Sequence, residues 1–400
     1  MKTLHSFSFV TLLSASLVLS LPAQATTYSD LLKNVLANQP EQATLQGYDA
    51  LESSASESKN SWFSGNTNLI ISHENDSLTG DLDKQKWQIG AEVPLWLPGQ
   101  RQSQKNLAVG FGELNTNQAS VLKLQASALL RDLVWQYRQA QVKTEIAQQS
   151  VEQAQKLQKL INVLVSVGEK PKIDALLADK ALLAAQSNLL MVENEFTTAQ
   201  NRYQYWTKTN DLPKPLAEKL VKFDLDNHPA LNQLNAQLTV LNAEYQNLKA
   251  TQKDNPVFSF GGFQEDDQGM SPNTSLYAQI SYPMGTNPTK KVGMAKHKTT
   301  VLQKEAEIKR FELELKNQLF AAEQKVSVSK QQLSLTDKEM QLASQTLKLA
   351  TQAYKAGESN IQTLVNAQQQ FLDSKLQQAL TQIELTTAIA HRNQIAGVSL

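Results

Sequence analysis

Residues able to do chemistry are few and scattered in this 400-residue chain. Cysteine is absent, which removes disulfides, thiol nucleophiles and cysteine metal sites together. Of the histidines, His5 lies in the apolar N-terminal stretch, His73 in a strand-like segment and His228 before a proline. His297 falls on a helix with no second ligand at i+3 or i+4, and His391 stands alone, so packing or surface roles are expected rather than metal ligation. Gly261-Gly262 sits inside a strand pattern and is not a phosphate loop. No catalytic constellation emerges, so neither an enzyme nor a cofactor is expected. Lys+Arg and Asp+Glu are 38 each, so no global charge draws the chain to nucleic acid. Lys290, Lys291 and Arg101 stand just past strand-like segments, where they could meet lipid head groups or be ordinary solvated charge.

With no site to position, the question becomes what the long elements build. Met1-Lys2, the apolar run Phe7 to Leu21 and Ala23-Gln24-Ala25 make residues 1–25 a secretory signal peptide, with the mature chain starting near Thr26. The run is short for a retained anchor, and no later stretch has about 18 consecutive apolar residues. A membrane crossing by the mature chain would therefore use a β-barrel.

The mature sequence repeats one plan. Pro40 of Asn38-Gln39-Pro40 returns as Pro229 of Asn227-His228-Pro229, Pro94 as Pro283, and Gly168-Glu169 as Gly357-Glu358, each 189 residues on. This divides the chain into a first repeat at 26–207, a Pro-bearing linker at 208–227 and a second repeat at 228–400. Each repeat reads as a helix, two strands with a polar turn, a very long helix, a glycine turn and a return helix.

The strand segments lie within 66–97 and 256–284. Trp87, Ile89, Ala91 and Val93 alternate with polar or small residues, as do Leu276, Ala278, Ile280 and Tyr282, which marks strands with one apolar face. Trp62, Phe63, Trp96, Phe258, Phe263 and Tyr282 fall at or near strand ends, where an aromatic girdle would sit. Two hairpins of a soluble domain would show the same alternation. However, four strands leave two open edges that lipid does not tolerate, so a membrane sheet must close with copies of itself, three copies giving twelve strands.

From Gln100 to Val167 there is no proline, and a helix of that length measures about 100 Å. Every seventh position is small or aliphatic: Ala126, Leu133, Ala140, Ala147, Ala154 and Ile161, matched 189 residues on by Leu315, Ala322, Ser329, Thr336, Ala343 and Ala350. A strict seven-residue repeat means helices packed along their length as coiled coils. The return helix carries Leu176, Leu183 and Leu190 beside Leu182, Leu189, Phe196 and Tyr203, again a packing face. Polar residues fill the remaining faces, as in the wall of a tube wetted on both sides or in a solvated coiled-coil stalk.

Together these features resemble the TolC family of outer-membrane efflux and secretion channels over nearly all of the mature sequence. The most specific likeness is Tyr354-Lys355-Ala356-Gly357-Glu358 followed by Ile361, Leu364, Ala367-Gln368 and Leu372; Gly168, Ile173, Leu176, Leu177 and Asp179 form a looser copy. The passage Val93-Pro94-Leu95-Trp96-Leu97-Pro98-Gly99-Gln100-Arg101 and the Asn-x-Pro starts are also similar. The resemblance implies a mainly α fold with a small β part: a homotrimer with a long α-helical barrel and a twelve-stranded transmembrane β-barrel, four strands per protomer. It further implies an outer-membrane location, with the helices in the periplasm. The tip residues Gly168, Glu169, Tyr354, Gly357 and Glu358 would meet a periplasmic adaptor that couples the duct to an inner-membrane pump of the resistance-nodulation-division type. Some relatives carry an acidic ring after the second tip glycine; Thr363 and Asn366 stand there here, leaving Asp174 and Asp179 as aperture-lining carboxylates. The end at Leu400, directly after the last helix, resembles the heavy-metal efflux branch, so metal cations or drugs are the expected cargo. A poreless periplasmic adaptor or stalk is the competing expectation, and a periplasmic enzyme a distant one.

Overall fold

The computed structural model describes residues 26–400 apart from positions 77, 79, 81–83, 268–270 and 286. The signal-peptide reading of residues 1–25 and parts of the two polar turns lie outside the described residues. The order is α1 (Tyr28–Ala37), α2 (Gln42–Asn60), β1 (Asn68–Asn75), β2 (Gln85–Pro94), α3 (Gln100–Ser166) and α4 (Lys172–Thr207). Then follow α5 (Pro229–Ala250), β3 (Val257–Asp266), β4 (Asn273–Ser281), α6 (Pro288–Lys355) and α7 (Ile361–Ile395). Element starts recur at the same spacing, Asn68 against Val257 and Lys172 against Ile361, so the duplication is one of architecture.

Helix α3 runs unbroken for 67 residues, about 100 Å, because nothing in it interrupts the backbone ladder. Both long helices stop at a glycine in the left-handed region, Gly168 at φ 80° and Gly357 at φ 77°. The following N–H closes the last turn, Glu169 onto Leu164 O and Glu358 onto Ala353 O, both at 2.9 Å.

The seven-residue seam is buried where expected. Ala126, Leu133, Ala140, Ala147 and Ile161 are buried on α3, as are Leu315, Ala322, Ser329, Thr336 and Ala350 on α6; Ala154 and Ala343, which correspond across the repeat, are only half-buried. Helix α3 packs on α2 and α4 of its own repeat and on α5 and α7 of the other, whereas α6 packs on α5 and α7. The helices thus form a row in which α3 and the α5/α7 column are internal, while α6 and the α2/α4 column stand at the two ends.

Two features went unread in the sequence. Helix α1 opens with a capping box between Thr27 and Asp30 and buries Leu31, Leu32 and Val35 against α3 and α4. Residues 208–227, expected as a linker, form no helix or strand but are docked as a clamp. Glu218 takes two 2.8 Å hydrogen bonds from the buried Arg131 guanidinium on α3, and Asn393 and Arg392 on α7 donate to Lys219 O and Val221 O.

His228 caps α5: its Nδ1 accepts from Leu231 N–H at 3.4 Å, while Nε2 lies 3.2 Å from Ile395 O. Both nitrogens are thus used by the neutral ring, and burial holds its pKa below the usual 6.5. The folded state therefore favours the neutral form, so this contribution is present above pH 6.5 and lost as the pH falls below it. Thermal melting should show a smaller drop between pH 8 and pH 5 for His228→Asn, which can still cap, than for the parent chain.

Candidate functional site

The four strands form one antiparallel sheet in the order β1-β2-β3-β4, so the two strand pairs expected as hairpins are fused through β2 and β3, which come from different repeats. The register sorts side chains by face. One face carries the rows Leu69, Ala91, Phe260, Ala278 and Ile71, Ile89, Gly262, Leu276, followed by Val93, Phe258 and Ile280. The other carries Asn68, Glu92, Ser259, Gln279; then Ser72, Gln88, Phe263, Ser275; then Glu74, Lys86, Glu265, Asn273. Apolar residues that would fill a core in a soluble sheet are here bare: Leu276 is 88% exposed, Leu69 70% and Ile280 66%. Such a face belongs against lipid, and its polar reverse against water. Strands of 8–10 residues suit a tilted bilayer crossing. Among the described residues, β1 and β4 each leave one backbone edge without a partner strand.

On the polar face, Tyr277 lies across Gly261 and Gly90 in one register row, and a Cβ at either glycine would strike its ring or hydroxyl. The two glycines therefore let the ring lie flat on the sheet.

The end columns of the helix row carry unused apolar stripes with a period of seven. On α6 these are Val328, Leu335, Leu342 and Leu349, and on α4 Leu176, Leu183 and Leu190, all more than half exposed. The expected packing face of α4 is thus split. Ala178, Ala185 and Tyr203 are buried within the protomer, with Leu182, Leu189 and Phe196 half-buried beside them, while the other leucine row faces out.

At the far end from the sheet, the two helix-turn-helix tips meet. Leu157, Ile161 and Ala178 of the first hairpin pack with Ala350, Tyr354, Ile361, Leu364 and Ala367 of the second. Tyr354 is 3% exposed, so it joins the hairpins and offers no surface to a partner. Its hydroxyl lies 3.4 Å from Asp174 Oδ2, and Lys170 Nζ sits 4.5 Å above its ring. Burial pushes the phenol up to about 12, and the Asp174 carboxylate adds to the shift. Asp179 is half-buried and accepts from Gln158 Nε2 at 2.8 Å. Gly168, Glu169, Gly357 and Glu358 are exposed at the turns. Thr363 and Asn366 are exposed on the first turns of α7, Thr363 bonded to the Asn360 cap and Asn366 to Gln362. Of the four expected aperture residues, Asp174 and Asp179 are thus half-buried and contact other helices of the protomer, whereas Thr363 and Asn366 are exposed and bonded only within their own helix turn.

Tyr354→Phe keeps the ring packing and removes the Asp174 contact. It should cost about 1 kcal/mol at the tip and speed amide exchange in residues 350–365 about fivefold without changing global melting.

No protein-family model matches the sequence, and no curated protein matches it either. Solved structures do. The outer membrane protein VceC from Vibrio cholerae matches with a TM-score of 0.72 at 11% identity, covering 93% of this chain and 96% of its own. The outer-membrane channel OprN matches at 0.69 and 18% identity over 92% and 89%. The open state of the MtrE outer membrane channel of Neisseria gonorrhoeae matches at 0.64 and 14% identity over 92% and 88%. The chain has the TolC-like channel fold.

In the TolC-like frame, the composition of α4 is explained. Among the described residues it is the one helix long and apolar enough to cross a membrane, with mean hydropathy 1.3 over its most apolar window. Yet it lies against α3 within the helix row. Its surplus is the outward Leu176, Leu183 and Leu190 row, left exposed on the protomer. The sequence reading missed the Lys170 contact on Tyr354 and the α6 leucine row. The latter was visible as a period of seven, one position before the small-residue seam.

Proposed function

We propose that the chain is one protomer of a homotrimeric outer-membrane duct, a passive exit for small solutes. In this reading an inner-membrane pump of the resistance-nodulation-division type and a periplasmic adaptor deliver the cargo, and no chemistry occurs in the protein. The observation that carries the proposal is the sheet with one bare apolar face, one polar face and two unpaired edges. A soluble stalk or adaptor would have to leave that apolar face in water. Three protomers pair their sheet edges into a closed barrel, and the α6 leucine row of one packs on the α4 row of the next.

The helices then form a periplasmic tube ending at the Gly168 and Gly357 turns, where exposed Glu169 and Glu358 meet the adaptor. Thr363 and Asn366 line the aperture. It opens when the Tyr354–Asp174 contact and the small tip cluster around it relax. Metal cations and drugs both fit a polar lumen.

The sheet's two faces supply the test. Single cysteines replacing Leu69, Ile89 or Leu276 should react in vesicles with a lipid-soluble maleimide and resist a charged, water-soluble one. Cysteines replacing Ser72, Gln88 or Gln279 should show the reverse. Equal labelling of both sets by the water-soluble reagent would reject a membrane sheet and favour the stalk.

A further inference from the structure

The ends of the sheet differ in charge. At the helix-side end, where all four strands join helices, stand Lys59, Arg101, Lys105, Lys249, Lys253, Lys290 and Lys291 against Glu57, Glu92 and Asp254. At the turn end the described charges are Glu74, Asp76, Glu265, Asp266 and Asp267 against Lys84 and Lys86. The basic end is unusual in how little of it is neutralised. Lys290 pairs with Asp254 at 2.6 Å, and Arg101 donates to the carbonyls of Ser61 and Trp62. Lys59, Lys105, Lys249, Lys253 and Lys291 make no side-chain ion pair or hydrogen bond among the described residues.

Interfacial aromatic groups share this band. Trp62 is 85% exposed beside Arg101, whose guanidinium lies 6.0 Å from the Trp96 ring, and Tyr282 and Met284 are also bare. A large indole in water, in the same band as unneutralised ammonium groups and directly bordering a lipid-facing sheet, matches a headgroup boundary in both its apolar and its charged parts.

We infer that this collar binds anionic phospholipid headgroups in the leaflet nearest the helices, an inference that rests on the channel reading above. Long lysine stems lie along the acyl boundary while their ammonium groups reach the phosphates. The acidic turn end repels the same headgroups, so the charge difference also sets which way the sheet enters a bilayer. Phospholipid, rather than lipopolysaccharide, is the occupant because in the channel reading the helices, and with them the basic end, lie on the periplasmic side.

The test uses the full chain in vesicles of phosphatidylcholine containing either brominated phosphatidylglycerol or brominated phosphatidylcholine, with quenching of tryptophan fluorescence as the readout. Each cation near an anionic surface is worth about a fivefold preference, so quenching should favour phosphatidylglycerol by about fivefold or more at low salt. The preference should collapse toward unity at about 0.5 M salt. The triple variant K249Q/K253Q/K291Q touches no bonded group. It should lose most of the preference while its quenching by brominated phosphatidylcholine stays unchanged, and R101Q should reduce the preference further.

Equal quenching by the two lipids, or a preference that survives the triple variant, would overturn the inference and leave the channel reading intact. Absence of quenching by either lipid would remove both.

Discussion

Replacing Leu335 and Leu342 with aspartate should keep the proposed trimer apart, as folded protomers that no longer conduct. Both side chains lie on the outer side of α6, 58% and 64% exposed, so the isolated protomer loses no packing when they change. In the assembled ring each would be buried against the α4 row of a neighbour. A leucine so buried contributes about 1.5–3 kcal/mol, and an unpaired carboxylate at the same place costs several more.

The expected readout is a single-copy species in detergent with an unchanged helical circular dichroism signal. Leu364→Asp is the contrasting variant. Leu364 is buried in the hairpin cluster within one protomer, so that change should destabilise the tip directly. If L335D/L342D stayed trimeric, the α6 row would not be the seam.

The second large effect is expected at the clamp. Arg131→Ala should destabilise the chain by about 3–5 kcal/mol, because it leaves Glu218 as an uncompensated, nearly buried carboxylate. The Arg131 side chain is 5% exposed and that of Glu218 11%; the guanidinium also donates to Gln394 and to Val398 O at 3.0 Å. Glu218→Ala should cost a similar amount by stranding the cation. The double variant R131M/E218L fills the space with apolar groups and should recover most of the loss. Denaturant melting of the three variants checks this: additive losses would mean that the pair is not acting as a unit. The clamp ties the segment between the repeats to α3 and α7 together, so a loosened clamp should also free residues 208–227 to proteolysis.

Local periodicity made much of the architecture legible. The spacing of 189 residues, the small seam from Ala126 to Ile161 and the alternation in β2 and β4 each repeat within a short window, and each corresponds to a feature of the fold. What escaped was long-range or two-sided. Pairing of β2 with β3 joins residues some 170 positions apart, as Val93 with Phe258, and no local pattern encodes such a partner. On α4 two apolar rows lie about 100° apart around the helix, and sequence alone does not say that one turns inward and the other out. Helix α1 was missed because ten residues give little periodicity, although its Thr27–Asp30 capping box was readable.

The tip motif around Gly357 located the turn but not the role of Tyr354. Its position in the motif suggested a surface contact, whereas its bulk and Asp174 across the hairpins draw it inside. The residues of 208–227 carry prolines and mixed charge, which fit a linker as well as they fit a docked clamp; the difference lies in Arg131, far away in sequence.

Native mass spectrometry of the detergent-extracted membrane form tests most directly whether four two-faced strands and an open helix row close by self-association. Three copies per particle, from a species that inserts into planar bilayers with a uniform conductance, is the predicted result. A particle holding one copy, with its sheet intact and no conductance, would contradict the account.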